Sequence, residues 1–142
     1  MTGNQYKAII DSFHVETNPK YQPSGSTTYC NIFAQDVMDE CGTPLPSGVC
    51  ATMLNQLESG YSSWGSVTYQ NAQVRANNGY PTIAITSDHV AVVRPNEDGS
   101  TPTSRREVRI TQAGRTLLNN STLNYGWPPA RLNEIVFYSW GA

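Results

Sequence analysis

Cys30, His89 and Gln112 have the side-chain types and settings that suit nucleophilic acyl chemistry. A thiol attacks only as the thiolate, and it needs a neighbouring base that can later return a proton. Cys30, Phe33, Ala34, Val37, Met38 and Cys41 recur at i, i+3, i+4, i+7, i+8 and i+11, the apolar stripe of an amphipathic helix. Cys30 then lies in the first helical turn, where unpaired N–H groups and the positive end of the macrodipole favour a thiolate. The competing reading is a small apolar side chain on a packing face, since free cysteine is among the most buried residue types.

His89 opens a β-branched run, His89-Val-Ala-Val-Val93. If 89–94 and 106–112 form a hairpin around the 95–105 loop, its midpoint near residue 100 sets His89 opposite Gln112. Their Cβ atoms would then be ~5 Å apart on one face of the sheet. The Gln112 amide oxygen could accept from one imidazole nitrogen, leaving the other to take a proton from Cys30. The backbone N–H of Cys30 is the first candidate for an oxyanion donor. Tyr29 and Asn31, flanking the nucleophile, and Asp88, beside the histidine, are further candidates for oxyanion or substrate contacts. Asp88 and Asn119 are rival orienters of His89, with Asp88 on the opposite face of the strand by the period of two. Taken singly, His89 also reads as a polar strand-start residue and Gln112 as a surface amide.

The elements that must carry these residues follow from periodicity and breakers. Tyr6, Ile9, Ile10 and Phe13 predict a helix over 4–13, with His14 after it as a capping or packing residue. Ser26, Thr27 and Thr28 are N-cap candidates for the Cys30 helix, and Gly42 is its stop. Further helices are expected over 49–58 and about 70–78, with 60–65 as loop. Strands are expected at 82–86, 89–93, 107–112 and 134–138, with 96–104 and 119–122 as loops. Helices in the first half and strands in the second predict one α+β domain over 1–142, with N-terminal helices packed on an antiparallel sheet.

Composition narrows the partners. Only 14% of the 142 residues are charged and the formal net charge is −2, which argues against a nucleic-acid surface. Eight tyrosines and three tryptophans suit a neutral polar ligand such as a peptide or glycan, and equally an aromatic core. No apolar run approaches the ~20 residues of a membrane helix, so no membrane insertion is expected. The N-terminus lacks the pattern of a secretory signal. Two histidines and three cysteines show no ligand spacing, so neither metal nor cofactor is expected. Cys41 and Cys50 could pair across the loop between them, or remain two buried thiols.

The segments TYCNIFAQDVM, DHVAVVRP and VRITQAG together resemble the NlpC/P60 and CHAP superfamily of papain-like peptidoglycan hydrolases. There a cysteine starts a helix, a histidine begins an apolar strand, and a third polar residue lies on the next strand. The small amidase effectors of type VI secretion and phage-type lysins are similar in layout and length. The first group also has a Pro-containing segment like Gly42-Thr-Pro-Leu-Pro46 after the cysteine helix. The resemblance, over about residues 24–140, implies a papain-like fold. It also implies cleavage of an amide in the peptidoglycan stem peptide through a thioester, by a monomer without cofactor. The choice between endopeptidase and N-acetylmuramoyl-L-alanine amidase stays open. Action in the periplasm or wall would require delivery by a secretion system, phage lysis or another route, and an immunity protein is an expected partner. Many NlpC/P60 enzymes read Asp-Cys-Ser where this chain has Tyr29-Cys30-Asn31, and a Gly where it has Asp88, so the family's substrate rule does not carry over. Two other readings remain: a cysteine protease or transpeptidase acting on protein, and a non-catalytic binding module on the same fold.

Overall fold

In the computed structural model, which describes residues 1–142, four helices and six strands follow the order α1, α2, α3, β1, α4, β2 to β6. The helices are α1 (Gly3–Ser12), α2 (Cys30–Glu40), α3 (Cys50–Glu58) and α4 (Tyr69–Asn77). The strands are β1 (Trp64–Val67), β2 (Thr82–Ile85), β3 (Val90–Val93), β4 (Arg109–Gln112), β5 (Leu118–Thr122) and β6 (Val136–Trp140). They form one antiparallel sheet in the order β1-β6-β2-β3-β4-β5. The α+β class expected from the sequence is therefore the one observed. No helix is long and apolar enough to cross a membrane.

Every residue of β2 and β3 is buried, so these strands read as continuous apolar runs. Helix α2 packs on β3 and β4, α4 packs on β2, β3 and β6, and α1 touches both helices. From α1, the buried Tyr6 hydroxyl donates to the Val93 carbonyl at 2.7 Å and accepts from the Thr82 N–H at 3.1 Å. Arg94, 1% exposed just beyond β3, meets Asp11 of α1 at 2.8 Å and the Asn119 carbonyl at 2.7 Å. These contacts tie α1 to the end of the β2–β3 hairpin away from His89.

Several expectations need correction. Strands β1 and β5 stand where loops were expected. Both are sheet edges: β5 is the polar run Leu-Asn-Asn-Ser-Thr, and β1 has a single buried residue, Trp64. An edge strand with little buried surface leaves a weak apolar pattern. The last strand runs over 136–140, because 129–134 forms 3-10 turns behind Pro128 and Pro129. Helix α2 is not capped by Ser26, Thr27 or Thr28. Ser24 and Thr27 close a tight turn through two backbone bonds of 2.9 Å, and Tyr29 takes the N-cap position without a side-chain bond. Gly42 does end the helix, at φ +73°, with Thr43 N–H on Met38 O and Gly42 N–H on Asp39 O.

The β3–β4 register also differs. Val92 lies opposite Thr111 and Val93 opposite Ile110, which carried back sets Ala91 level with Gln112 and His89 level with Gly114. A 3-10 turn at Arg105–Glu107 delays the returning strand to residue 109. A slip of two keeps every side chain on its face, so His89 and Gln112 are diagonal neighbours rather than directly opposed.

Candidate active site

Cys30 is the first residue of α2. The first intrahelical bond runs from Phe33 N–H to Tyr29 O at 2.9 Å, so the N–H groups of Cys30, Asn31 and Ile32 precede the helical ladder. With no side-chain cap, this helix start faces its own cysteine with donors to spare. Cys50 is the first residue of α3, and the two helix starts converge with Cys30 Sγ and Cys50 Sγ 3.7 Å apart. Both residues are only 6% exposed.

Of the two readings left open for Cys41 and Cys50, the structure has the unpaired one: all three cysteines are free thiols, Cys50 buried and Cys41 half-buried. Cys41 caps the C-terminus of α2. Eleven residues of helix put it ~16 Å along the axis from Cys30, beside which Cys50 lies. The 42–49 connection delivers Cys50 to its place. Gln35 Nε2 donates to the carbonyls of Pro46 (3.1 Å) and Gly48 (3.0 Å), and Asn31 Nδ2 donates to Gly48 at 3.2 Å. Asn31 is thus a loop clamp in this structure, and Tyr29 is half-exposed with no side-chain hydrogen bond.

The thiol pair shares one proton unequally. A hydrogen bond from Cys50 holds the Cys30 thiol well below the usual range. Burial opposes this, while the His89 imidazole and a backbone bond from Val90 assist it. The Cys50 thiol is pushed up by its bond to Cys30, by burial and by the negative charge of Asp88. Only Cys30 has the imidazole beside it, and only Cys50 faces the carboxylate. The thiolate therefore belongs on Cys30.

His89 Nε2 lies 2.7 Å from Gln112 Oε1. Gln112 Nε2 donates to the Thr116 carbonyl at 3.0 Å, which turns the amide oxygen towards the histidine. An oxygen acceptor requires Nε2 to carry the proton, so Nδ1 is the free base. The Trp127 ring packs on the imidazole, centroids 4.5 Å apart, and its indole N–H donates to Thr86 Oγ1 at 3.0 Å. Gly126 leaves room for the Gln112 amide, since a Cβ there would lie 2.5 Å from Oε1.

The rival orienters are engaged elsewhere. Asp88 accepts from both Arg131 terminal nitrogens (2.8 and 3.0 Å) and from Thr86 Oγ1 (2.9 Å). That guanidinium, with Thr86, holds its carboxyl at about 2. Asn119 is bound up with Asp11 and Arg94. His14 sits at φ +48° beyond α1, outside the site. The structure thus brings Cys30, His89 and Gln112 together and adds Cys50, Trp127, Thr116 and Gly126. Cys50 had a signal in the sequence, since it follows Gly48 and opens a helix as Cys30 does. Trp127 precedes Pro128-Pro129, a setting that marks a rigid turn and carries no signal of a contact with His89.

A groove of about 340 Å³ runs past His89, lined by Ser26, Thr28, Gln112, Arg115, Thr116 and Tyr125 among others. A larger depression of about 540 Å³, between the start of α1 and the 95–99 loop, is lined by Thr2, Asn4, Lys7, Asn77, Pro95 and Glu97 among others and contains none of the candidate catalytic residues. An activated thiol, an oriented imidazole and spare N–H groups at one helix start can together support acyl transfer. No protein-family model matches the chain, and no curated protein matches its sequence.

Proposed function

We propose that the protein is a papain-like cysteine hydrolase that cleaves an amide bond in the peptide part of peptidoglycan. The observation that carries this reading is the 2.7 Å bond from His89 Nε2 to Gln112 Oε1, which leaves Nδ1 as the base for a thiol at the start of α2. His89 Nδ1 takes the proton of the Cys30 thiol, and the thiolate attacks the carbonyl carbon. A C–S bond forms as the C=O π bond opens, and the oxyanion is met by the Cys30 N–H. His89 gives a proton to the amine nitrogen as the C–N bond breaks, leaving a thioester. Water then attacks with His89 as base, and breakage of the C–S bond returns the thiolate. Gln112 holds the ring through both steps.

The peptidoglycan substrate rests on the resemblance of the Cys30 and His89 segments to NlpC/P60 and CHAP hydrolases. The groove beside His89, with hydroxyl, amide and Arg115 guanidinium groups in its walls, suits a polar peptide bearing carboxylates. Such a substrate places the action in the bacterial periplasm or wall and calls for a delivery route. The test is mass spectrometry of purified peptidoglycan, of the diaminopimelate and lysine types, after incubation with wild type and with Cys30→Ala. New muropeptides from the wild type alone are expected, and their masses name the bond. Intact walls with both proteins, alongside cleavage of a protein substrate by wild type only, would replace this substrate with a protein one.

A further inference from the structure

The catalytic scheme uses one thiol, but the site holds two. Cys30 and Cys50 start different helices, sit in sulfur–sulfur contact at 3.7 Å, and are both nearly closed to solvent. A disulfide needs the sulfurs at ~2.05 Å, so closure requires them to approach by ~1.6 Å. Cys41, at the far end of α2, does not compete. A thiolate beside a second thiol is the arrangement in which an oxidised sulfur is captured before it oxidises further.

We propose that Cys30 and Cys50 form a reversible oxidation site, at which a hydroperoxide closes an intramolecular disulfide that blocks the nucleophile and a dithiol reductant reopens it. The Cys30 thiolate attacks a peroxide oxygen, an S–O bond forms, the O–O bond breaks, and the departing hydroxide or alkoxide takes up a proton. Cys50 sulfur then attacks the sulfenic sulfur, an S–S bond forms, the S–O bond breaks, and hydroxide leaves with the Cys50 proton as water. The two thiols supply the two electrons that reduce one peroxide. A reductant thiolate reverses this through a mixed disulfide, restoring both thiols while the reductant is itself oxidised. The site goes beyond the hydrolase reading and does not depend on it, because its chemistry can be followed without a wall substrate.

The experiment uses the full chain carrying Cys41→Ala, which leaves only the two thiols in question. The protein is treated with hydrogen peroxide, denatured, alkylated with iodoacetamide and weighed. The expected product has lost ~2 Da (two hydrogens) and takes up no label. Cleavage after Glu40, which lies between the two cysteines, gives two peptides that stay joined until a dithiol is added. After reduction both cysteines alkylate again. Cys50→Ser in the same background should instead carry Cys30 on to the sulfinic and sulfonic acids, gains of ~32 and ~48 Da that a dithiol does not reverse, with at least tenfold less thiol recovered by reductant. Oxygen on Cys30 of the two-thiol protein, with Cys50 still open to alkylation, would overturn the proposal. So would equal thiol recovery in the Cys50→Ser protein. If that variant does not fold, the two-thiol protein decides alone. Inactivity on peptidoglycan would count against the hydrolase reading and leave this result untouched.

Discussion

A methyl group at position 126 would fall 2.5 Å from Gln112 Oε1 and 3.2 Å from Ile110 Cδ1, so Gly126→Ala must push the amide off its bond to His89. The expected result is a kcat lower by roughly 10–100-fold and a smaller change in KM, because the imidazole loses its fixed orientation while only one wall of the groove is altered. Gln112→Ala should reproduce that split in the same assay. The thiols offer a measurement that needs no substrate. Iodoacetamide should label Cys30 at pH well below the ~8.5 of free cysteine, since its folded-state pKa is depressed and the thiolate persists as the pH falls. Cys50→Ala should shift that profile upward by removing the hydrogen bond that contributes most to the depression. Cys50→Ser should restore part of it, because a hydroxyl still donates. Identical profiles in all three proteins would take Cys50 out of the site. At this scale the sequence was informative about Cys30, His89 and Gln112. The two-residue error in their register was harmless because two is the period of a strand. Cys50 could be read as opening a helix, but its contact with Cys30 could not, because helical spacing does not report a contact between the ends of two helices.

The elements differ in how they are anchored. Helix α1 carries none of the candidate catalytic residues, yet its Tyr6 hydroxyl serves the Val93 carbonyl and the Thr82 N–H inside the core. Tyr6→Phe removes from a buried place a hydroxyl bonded to both, and a loss of ~1–3 kcal/mol in urea unfolding is expected. The alkylation profile of Cys30 should not move, because α1 holds the opposite end of the hairpin. The four helices and the two central strands were legible from apolar spacing because each buries a continuous stripe or run. The edge strands were not. Asn119-Asn120-Ser121 is a turn signal by composition, and it becomes strand only because β4 offers an unpaired edge. Likewise β1 is held by Trp64, whose ring meets Trp140 at 5.6 Å and whose indole donates to the Pro44 carbonyl at 2.9 Å. Neither partner is near in sequence.

For the whole molecule, these two edges decide how it meets copies of itself. A free strand edge is a template for pairing unless its surface discourages association. Here β5 presents asparagine, serine and threonine, and β1 is a short strand of four residues with only Trp64 buried. The exposed large apolar residues, Val49, Val74, Tyr80, Tyr125 and Val136 among them, come from separate elements. A monomer is expected, and light scattering should return the 15.6 kDa of the single chain across concentrations. A dimer would point to β1 or β5 as its seam.

The clamp between α2 and the 42–49 connection bears on the order in which the chain assembles. Cys30 meets Cys50 across 20 residues, whereas His89 must be brought from a later part of the chain and then locked by Gln112, 23 residues further on. Short loops cost less entropy to close, so the α2–α3 unit has the kinetic advantage during folding. The nucleophile's electrostatic setting is then built before its base arrives. A chain emerging from synthesis would present the two thiols to each other, and to any oxidant, while it is still unable to turn over a substrate.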